Sequence, residues 1–560
     1  MGFDDVITHL GEFGRYQKRI YVLVCLPAIS CAFHKLAGVF LLAKPEHRCL
    51  LPFENDTKTI EYELPTSLLN TSYPYDNLLG KYSQCEYFWN ESTIHCSKWV
   101  YDKYKNSAVT EWDMVCSRSW LTATSDSLFM LGVLLGSIIF GQLSDKYGRK
   151  PIFFASLVMQ LVFGILAGIA PEYITYTISR VFIGATTAGV FLVAYVIAME
   201  MVGPSYRLLA GVLYMTFFSF GFMLLAGFAY LIYDWRQLQI ALTLPGAIFL
   251  CYYWFIPESA RWLLSKGHKN KAKKLILKAA KENNVSLPDE LLYDLLDDDI
   301  NNTEVKENKD SVFDLFRYPN LRRKTLLIFF DWFVNCGTYY GLSWNTSNLG
   351  GNDLLNFVIS GAVEFPAYIF LLCTLNRWGR RSILCGCMIF AGITLLLTAI
   401  VPEKENWIIV ALVMLGKLSI TASLGTVYIF SAEQFPTVIR NVGLGASSMV
   451  ARIGGILAPY FNLLGEIWKP FPMIIFGGMA FAGGLLSLSL PETLNKPMLE
   501  TIEECENFGK KTKNLEQHII TNAQNGQELN LLNNLKKNIN QNSSKENVRE
   551  SVHSKNDEKY

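Results

Sequence analysis

Residues 127–166 read SLFMLGVLLGSIIFGQLSDKYGRKPIFFASLVMQLVFGIL, two apolar runs joined by a short turn that holds Asp145, Lys146, Arg149 and Lys150. A bilayer core needs about 20 mainly apolar residues per spanning helix. The flanks of this turn extend to that length, over 121–142 and 151–171. Comparable stretches fall at 20–42, 174–197, 208–232, 236–256, 324–346, 352–375, 382–401, 407–430, 441–463 and 470–490. The sequence therefore predicts an all-α membrane protein with twelve transmembrane helices. Composition agrees: 51% of residues are hydrophobic, 18% are charged and the mean hydropathy is +0.22, unusual for a soluble enzyme. The net charge of +1 gives no sign of a nucleic-acid partner. The first 19 residues are polar and charged, so the first apolar stretch reads as a signal-anchor helix.

Two polar segments interrupt the helices. Residues 43–119 contain Cys49, Cys85, Cys96 and Cys116, with glycosylation sequons at Asn55, Asn70 and Asn90. Cysteines together with sequons point to an oxidising, extracellular loop holding two disulfides. Residues 257–323 lack cysteine and are rich in Lys and Arg, which places them in the cytoplasm. An even number of helices then returns both termini to the cytoplasm. The expected organisation is a cytoplasmic N-terminus (1–19), a six-helix half (20–256), a cytoplasmic connection (257–323), a second half (324–490) and a tail (491–560), disordered beyond about 508. Residues 266–300 read as a charged helix, and sequons at Asn284, Asn301 and Asn542 should be silent on the cytoplasmic side.

The halves echo each other. Glu200 and Arg207 in AMEMVGPSYR return 233 residues later as Glu433 and Arg440 in AEQFPTVIR. Tyr147-Gly148-Arg149-Lys150 is matched by Trp378-Gly379-Arg380-Arg381, and Pro257-Glu258 by Pro491-Glu492. Repeated halves with a site between them suit alternating access. Anchoring at the cytoplasmic face would need only Lys and Arg. The interleaved carboxylates instead suggest a gate of ion pairs built from Asp145, Arg149, Glu200, Arg207, Glu258, Arg261, Arg380, Glu433, Arg440 and Glu492.

GQLSDKYGRKP (141–151), PESARWLL (257–264) and PETLNKPMLETIEE (491–504) resemble major facilitator loops. The opening GEFGRYQ, the HRC start of the long loop and KWVYD…EWDMVC (98–116) narrow the resemblance to the organic cation/anion/carnitine transporter family, over residues 3 to 505. It implies the major facilitator fold, small organic ions as cargo, a plasma-membrane location and pairing of Cys49 with Cys96 and Cys85 with Cys116. Family members often carry more cysteines in this loop than the four present here.

Charges inside membrane helices are costly and mark functional candidates. Arg452 lies twelve residues beyond Arg440, about 18 Å along a helix and so near mid-membrane. In the family this position tends to be Asp in cation transporters and Arg in anion and carnitine types. A guanidinium favours a substrate carboxylate, although a structural pair with a neighbouring carboxylate would also explain it. Trp332, Tyr339 and Tyr340 match aromatic positions of the family cavity, and aromatic faces attract flat or quaternary cations. Tyr230 and Tyr428 are further aromatic candidates. Tyr368 stands where anion exchangers of the family often have Lys. Asp331 and Glu364 add negative charge, and Lys417 restores a positive one. This set suits a zwitterion of the carnitine, betaine or amine–acid type, or an organic anion, with an organic cation as the alternative.

A transport-inactive receptor or scaffold of the same fold is a second alternative. A sugar porter would lack the cysteine-bearing loop. The chain is not expected to be an enzyme, and with no GxxxxGK[ST] phosphate loop, ATP-driven pumping has no support. No cofactor or metal is expected. His34, alone on an apolar helix, reads as a packed or cavity-edge residue. The expected partners are the small organic substrate, the lipid bilayer and a coupling ion (Na⁺ or H⁺) or counter-substrate.

Overall fold

The computed structural model describes residues 3–54, 62–76, 81–90, 92–102, 106–286, 288, 312–402, 404–496 and 498–509. The expected tail beyond about 508, the later part of the 266–300 helix, and the sequons at Asn55, Asn301 and Asn542 lie outside these residues, except that residues 508 and 509 are described. The described residues up to Glu506 belong to one compact unit.

A short helix, α1 (Phe3–His9), precedes the first span, which is broken into α2 (Arg15–Cys25), α3 (Pro27–Leu36) and α4 (Gly38–Leu41). The first break falls at Pro27, which cannot donate the helical hydrogen bond. Among its described residues the long loop carries three two-stranded sheets. The first pairs β1 (His47–Cys49) with a last strand at Trp99–Tyr101, and between them lie α5 (Thr66–Ser72) and a hairpin of Glu86–Trp89 with Ser92–His95. Disulfides join Cys49 to Cys96 and Cys85 to Cys116. Inside the loop, Arg48 is buried in a two-pronged ion pair with Glu54 at 2.7 and 2.8 Å. Asn70 is exposed on α5, and Asn90 is exposed in the hairpin turn, in the left-handed region at φ 47°. The loop is tied down through α6 (Ala108–Glu111), whose Glu111 accepts from Trp235 Nε1 at 2.9 Å and pairs with Arg236.

The remaining elements of the first half are α7 (Trp120–Tyr147), α8 (Arg149–Gly168), α9 (Tyr173–Met201), α10 (Arg207–Leu231), α11 (Trp235–Thr243) and α12 (Pro245–Leu250). Two surface helices follow, α13 (Ala260–Ser265) and α14 (Lys269–Asn283), the latter ended by Asn284 in the left-handed conformation. The second half contains α15 (Asp314–Arg317), α16 (Pro319–Trp344), α17 (Asp353–Ala362), α18 (Glu364–Trp378), α19 (Arg380–Leu397), α20 (Asn406–Gln434), α21 (Arg440–Leu463) and α22 (Phe471–Ser487).

Among the described residues, nine helices are long and apolar enough to cross a membrane. The other three expected spans are helical and depart from that pattern for local reasons. The stretch from Trp235 breaks at Pro245 and ends in a tighter turn at Cys251–Trp254. The helix α22 has 17 residues. The helix α16 is long, but Lys324, Asp331 and Asn335 interrupt its apolar character.

The sequence echo is also an echo in space, at the end of the molecule opposite the cysteine loop (the basic end). Gly148 and Gly379 have φ of 113° and 90°, with ψ of 157° and 153°, a region open essentially to glycine alone. Each precedes a helix whose first amides are capped by a carboxylate from a distant loop. Glu258 accepts from Arg149 N at 3.0 Å and Lys150 N at 3.2 Å, and Glu492 accepts from Arg380 N at 2.9 Å and Arg381 N at 3.1 Å. A carboxylate there satisfies orphan amides and complements the helix dipole.

Candidate functional site

The helices α16, α18, α20 and α21 of the second half face α3, α9 and α10 of the first. Close packing of α16 on α21 is possible because Gly337 and Gly454 meet backbone to backbone. The same crossing puts Arg452 beside Cys336 and Tyr340.

Two linked clusters result. In the first, Glu364 is fully buried at the start of α18. Its carboxylate accepts from Tyr339 OH at 2.6 Å and from Ser219 Oγ of α10, and it pairs with Lys417 Nζ at 3.5 Å. Lys417 also donates to Ser343 Oγ and to the Tyr339 carbonyl at 3.3 Å, and lies 3.5 Å from the centre of the Tyr339 ring. Tyr368 approaches the same carboxylate and Ser219. The α17–α18 break that exposes these groups to one another falls at Val363, just before Pro366, whose ring cannot continue a preceding helix.

In the second cluster Arg452 lies within electrostatic reach of Tyr428, Tyr340 and Cys336. Its Nε is buried without a hydrogen-bond partner, and among the described residues it forms no ion pair. Tyr428 meets Trp332 with ring centres 4.2 Å apart, and Trp332 Nε1 donates to Ser431 Oγ at 2.8 Å. Tyr340 stacks on Trp344 at 5.4 Å and touches Tyr339 edge-on at 5.2 Å, joining the clusters.

Two expected members stand elsewhere. Asp331 faces α22, where Ser487 Oγ donates to both its carboxylate oxygens at 2.7 and 2.6 Å. It neighbours Trp332 in sequence, but adjacent helical residues point about 100° apart. Tyr230 is 64% exposed in the last turn of α10, eleven residues and about 16 Å along the helix from Ser219.

Other features escaped the sequence reading. Lys35, Trp344 and Ser219 line the same region. A buried ion pair joins Arg180 to Asp126 at 2.9 Å, with Arg180 also donating to the His34 carbonyl at 3.2 Å. His34, which the sequence marked as a packed or cavity-edge residue, is buried, with Nδ1 unpartnered.

At the basic end the charged residues form matching clusters inside each half. Arg149 pairs with Asp145 and with Glu200 at 3.1 Å, and Arg380 pairs with Glu433 at 3.2 Å. Arg207 and Arg261 converge on Asp4 of α1, at 2.6 and 2.5 Å. Arg440 departs from the expected pattern: its guanidinium binds Thr437 Oγ1 and the Phe435 carbonyl rather than a carboxylate. None of these ion pairs crosses between the halves. Besides the central Ser219–Glu364 bond, polar contacts cross toward the loop end. Glu466 accepts from Lys44 Nζ at 2.8 Å and Ser119 Oγ at 2.9 Å, Tyr460 OH meets Thr124 Oγ1 at 3.1 Å, and Ser127 Oγ donates to the Ile456 carbonyl at 2.7 Å. Toward the basic end the crossing contact is apolar, with Leu208 and Val212 against Leu371 and Leu375.

The family profile described as "Sugar (and other) transporter" matches residues 77–505. A Drosophila melanogaster protein named "Organic cation transporter protein" is 68% identical over 527 residues, covering 91% of this chain and 96% of that relative. "Organic cation/carnitine transporter 2" of Homo sapiens is 35% identical over 528 residues, covering 90% and 93%. Among solved structures, the xylose transporter XylE from E. coli, in a partially occluded inward-open conformation, superposes with a TM-score of 0.60 at 15% identity, covering 86% of this chain and 99% of that one. A likeness at that identity speaks to the fold alone.

Proposed function

Because the chain belongs to the organic cation/anion/carnitine transporter family of the major facilitator superfamily, we propose that it carries small organic solutes bearing a carboxylate. Zwitterions of the carnitine, betaine or amine–acid type come first and organic anions second. The protein is a multi-pass membrane transporter rather than an enzyme. The observation that carries the substrate reading is that Arg452 has no carboxylate partner among the described residues, while Glu364 and Asp331 are already engaged: Glu364 by Lys417, Tyr339 and Ser219, and Asp331 by Ser487. A cation in this cavity would meet an unopposed guanidinium. A carboxylate would meet its bidentate fork, and the cationic end of a zwitterion has the faces of Tyr340, Trp344, Tyr428 and Trp332 to lie on.

In this reading the cysteine loop is extracellular, both termini are cytoplasmic and the plasma membrane is the host. The polar seam near Glu466 shuts the outer mouth. Substrate binds between the halves, which rock about it, and the charge clusters at the basic end brace each half during the exchange. A coupling ion, a counter-substrate or the membrane potential drives the cycle, the last worth about 2.3 kcal/mol per net charge per 100 mV.

A second reading, an organic cation carrier, is favoured by the names of the relatives and by the aromatic wall. Uptake of labelled L-carnitine, benzoate and tetraethylammonium separates the two. We expect wild-type uptake of L-carnitine that Arg452→Asp reduces at least about tenfold, the scale of one charge-assisted contact. Wild-type uptake of tetraethylammonium alone would establish the cation reading instead.

A further inference from the structure

Lys35 is a second cation, within electrostatic reach of Arg452, and it comes from the other half. It sits in the last turn of α3 and is 4% exposed. Among the described residues its ammonium makes no ion pair and no hydrogen bond. It rests instead over the ring faces of Phe191, at 4.4 Å, and Phe218, at 5.3 Å. The turn that carries it is fixed to the opposite half, because Trp344 Nε1 donates to the Lys35 carbonyl at 3.3 Å. Lys35 and Arg452 feel each other's charge, and Cys336 lies within reach of both.

This arrangement is costly without a third party. A buried charge needs a counter-charge or hydrogen bonds, and Arg452 apart, buried cations elsewhere in the spans have them: Arg180 has Asp126 and Lys417 has Glu364. Aromatic faces offset part of the cost for Lys35, but they leave its three N–H donors unused. Two like charges, one on each half, also repel, and that repulsion opposes closure of the halves around an empty cavity.

We infer that Lys35 and Arg452 together hold the anionic group of the cargo, with one carboxylate bridging the two halves. Arg452 supplies the planar fork and Lys35 the point charge. The carboxylate turns a repulsive pair into an attractive triad, so occupancy itself draws the halves together. Lys35 is thereby a specificity-determining residue for carboxylates. The inference rests on the carboxylate reading above and adds to it the contribution of the first half.

The test compares wild type, Lys35→Gln and Lys35→Arg at equal surface expression, measuring KM for L-carnitine, benzoate and tetraethylammonium. The thermal stabilisation of each purified protein by L-carnitine is measured alongside. Lys35→Gln is expected to raise KM for both carboxylates about tenfold or more, the low end for losing one charge-assisted contact, and to abolish the stabilisation by L-carnitine. The KM for tetraethylammonium is expected to fall. Lys35→Arg is expected to restore carboxylate uptake. If Lys35→Gln leaves carboxylate KM unchanged, or raises KM for all three probes in the same proportion, Lys35 is a packing residue and the inference fails. If Arg452→Asp lowers carboxylate uptake at least about tenfold while Lys35→Gln leaves the carboxylate KM unchanged, the inference alone fails. If the wild type neither transports nor is stabilised by either carboxylate, the inference and the functional reading fall together.

Discussion

Glu364 receives a proton donor from each half and a cation from its own, namely Ser219, Tyr339 and Lys417. Removing one member of a buried pair strands the other, which costs about 3–5 kcal/mol, whereas removing both is far milder. Glu364→Gln and Lys417→Met should therefore each lower the melting temperature of the purified protein strongly, and the double variant should recover most of the loss. Additive losses in that cycle would mean the pair is energetically idle. At this scale the sequence was partly legible. Arg452, Glu364, Lys417 and the tyrosines stood out because polar groups in apolar runs are rare. Lys35 obeys the same rule. Asp331 was legible as a charge and misread as to facing, since the direction of a residue on a helix covered on several sides depends on which neighbour packs there. That information is not in the 3.6-residue period.

Among the elements, the two glycine-started helices and the cysteine loop make distinct predictions. A Cβ at Gly379 would come within 2.6 Å of Glu492 Oε2, in a backbone region that other residues avoid. Gly379→Ala should cost about 1–3 kcal/mol, read as a lowered melting temperature and reduced surface expression, and Gly148→Ala should behave alike. In the loop, burial, aided by Lys44, holds the His47 imidazole down from 6.5 to about 4. Between those values the unfolded loop binds more protons than the folded one, so stability rises with pH there. It is fully present above about 6.5 and is lost as pH falls toward about 4, each tenfold loss of proton affinity being worth about 1.4 kcal/mol. The Cys85–Cys116 bridge, beside His47, should become more accessible to a phosphine reductant over that window in wild type. In His47→Gln the acceleration should be absent. The helices were readable because hydropathy and the 233-residue echo report on burial and repetition. The loop's strands were not, since they are two to four residues long and are set by disulfides and the Arg48–Glu54 pair rather than by any period.

For the molecule as a whole, the distribution of polar contacts between the halves is uneven, and Glu466 holds a central place in it. It joins Lys44 and Ser119 at the rim nearest the cysteine loop. Partly exposed ion pairs contribute up to about 1 kcal/mol, so Glu466→Gln should shift the balance toward the outward-open form by no more than about fivefold. A cysteine placed at Ser127, buried beneath that rim, should react faster with an external, membrane-impermeant maleimide in the Glu466→Gln background. An unchanged rate would show that the rim pair does not set the balance.

The carboxylate caps on α8 and α19 have a practical consequence. Glu258 reaches its helix from before residue 286, and Glu492 reaches its own from after residue 312. The contacts of Asn283 with Tyr16, Leu10 and Gln17 likewise stay on one side of that boundary, and those of Glu506 with Asn320 and Leu321 on the other. A gene cut between codons 286 and 312 would sever none of these tethers. Two separately translated fragments should therefore each insert, find one another in the bilayer and restore uptake when co-expressed.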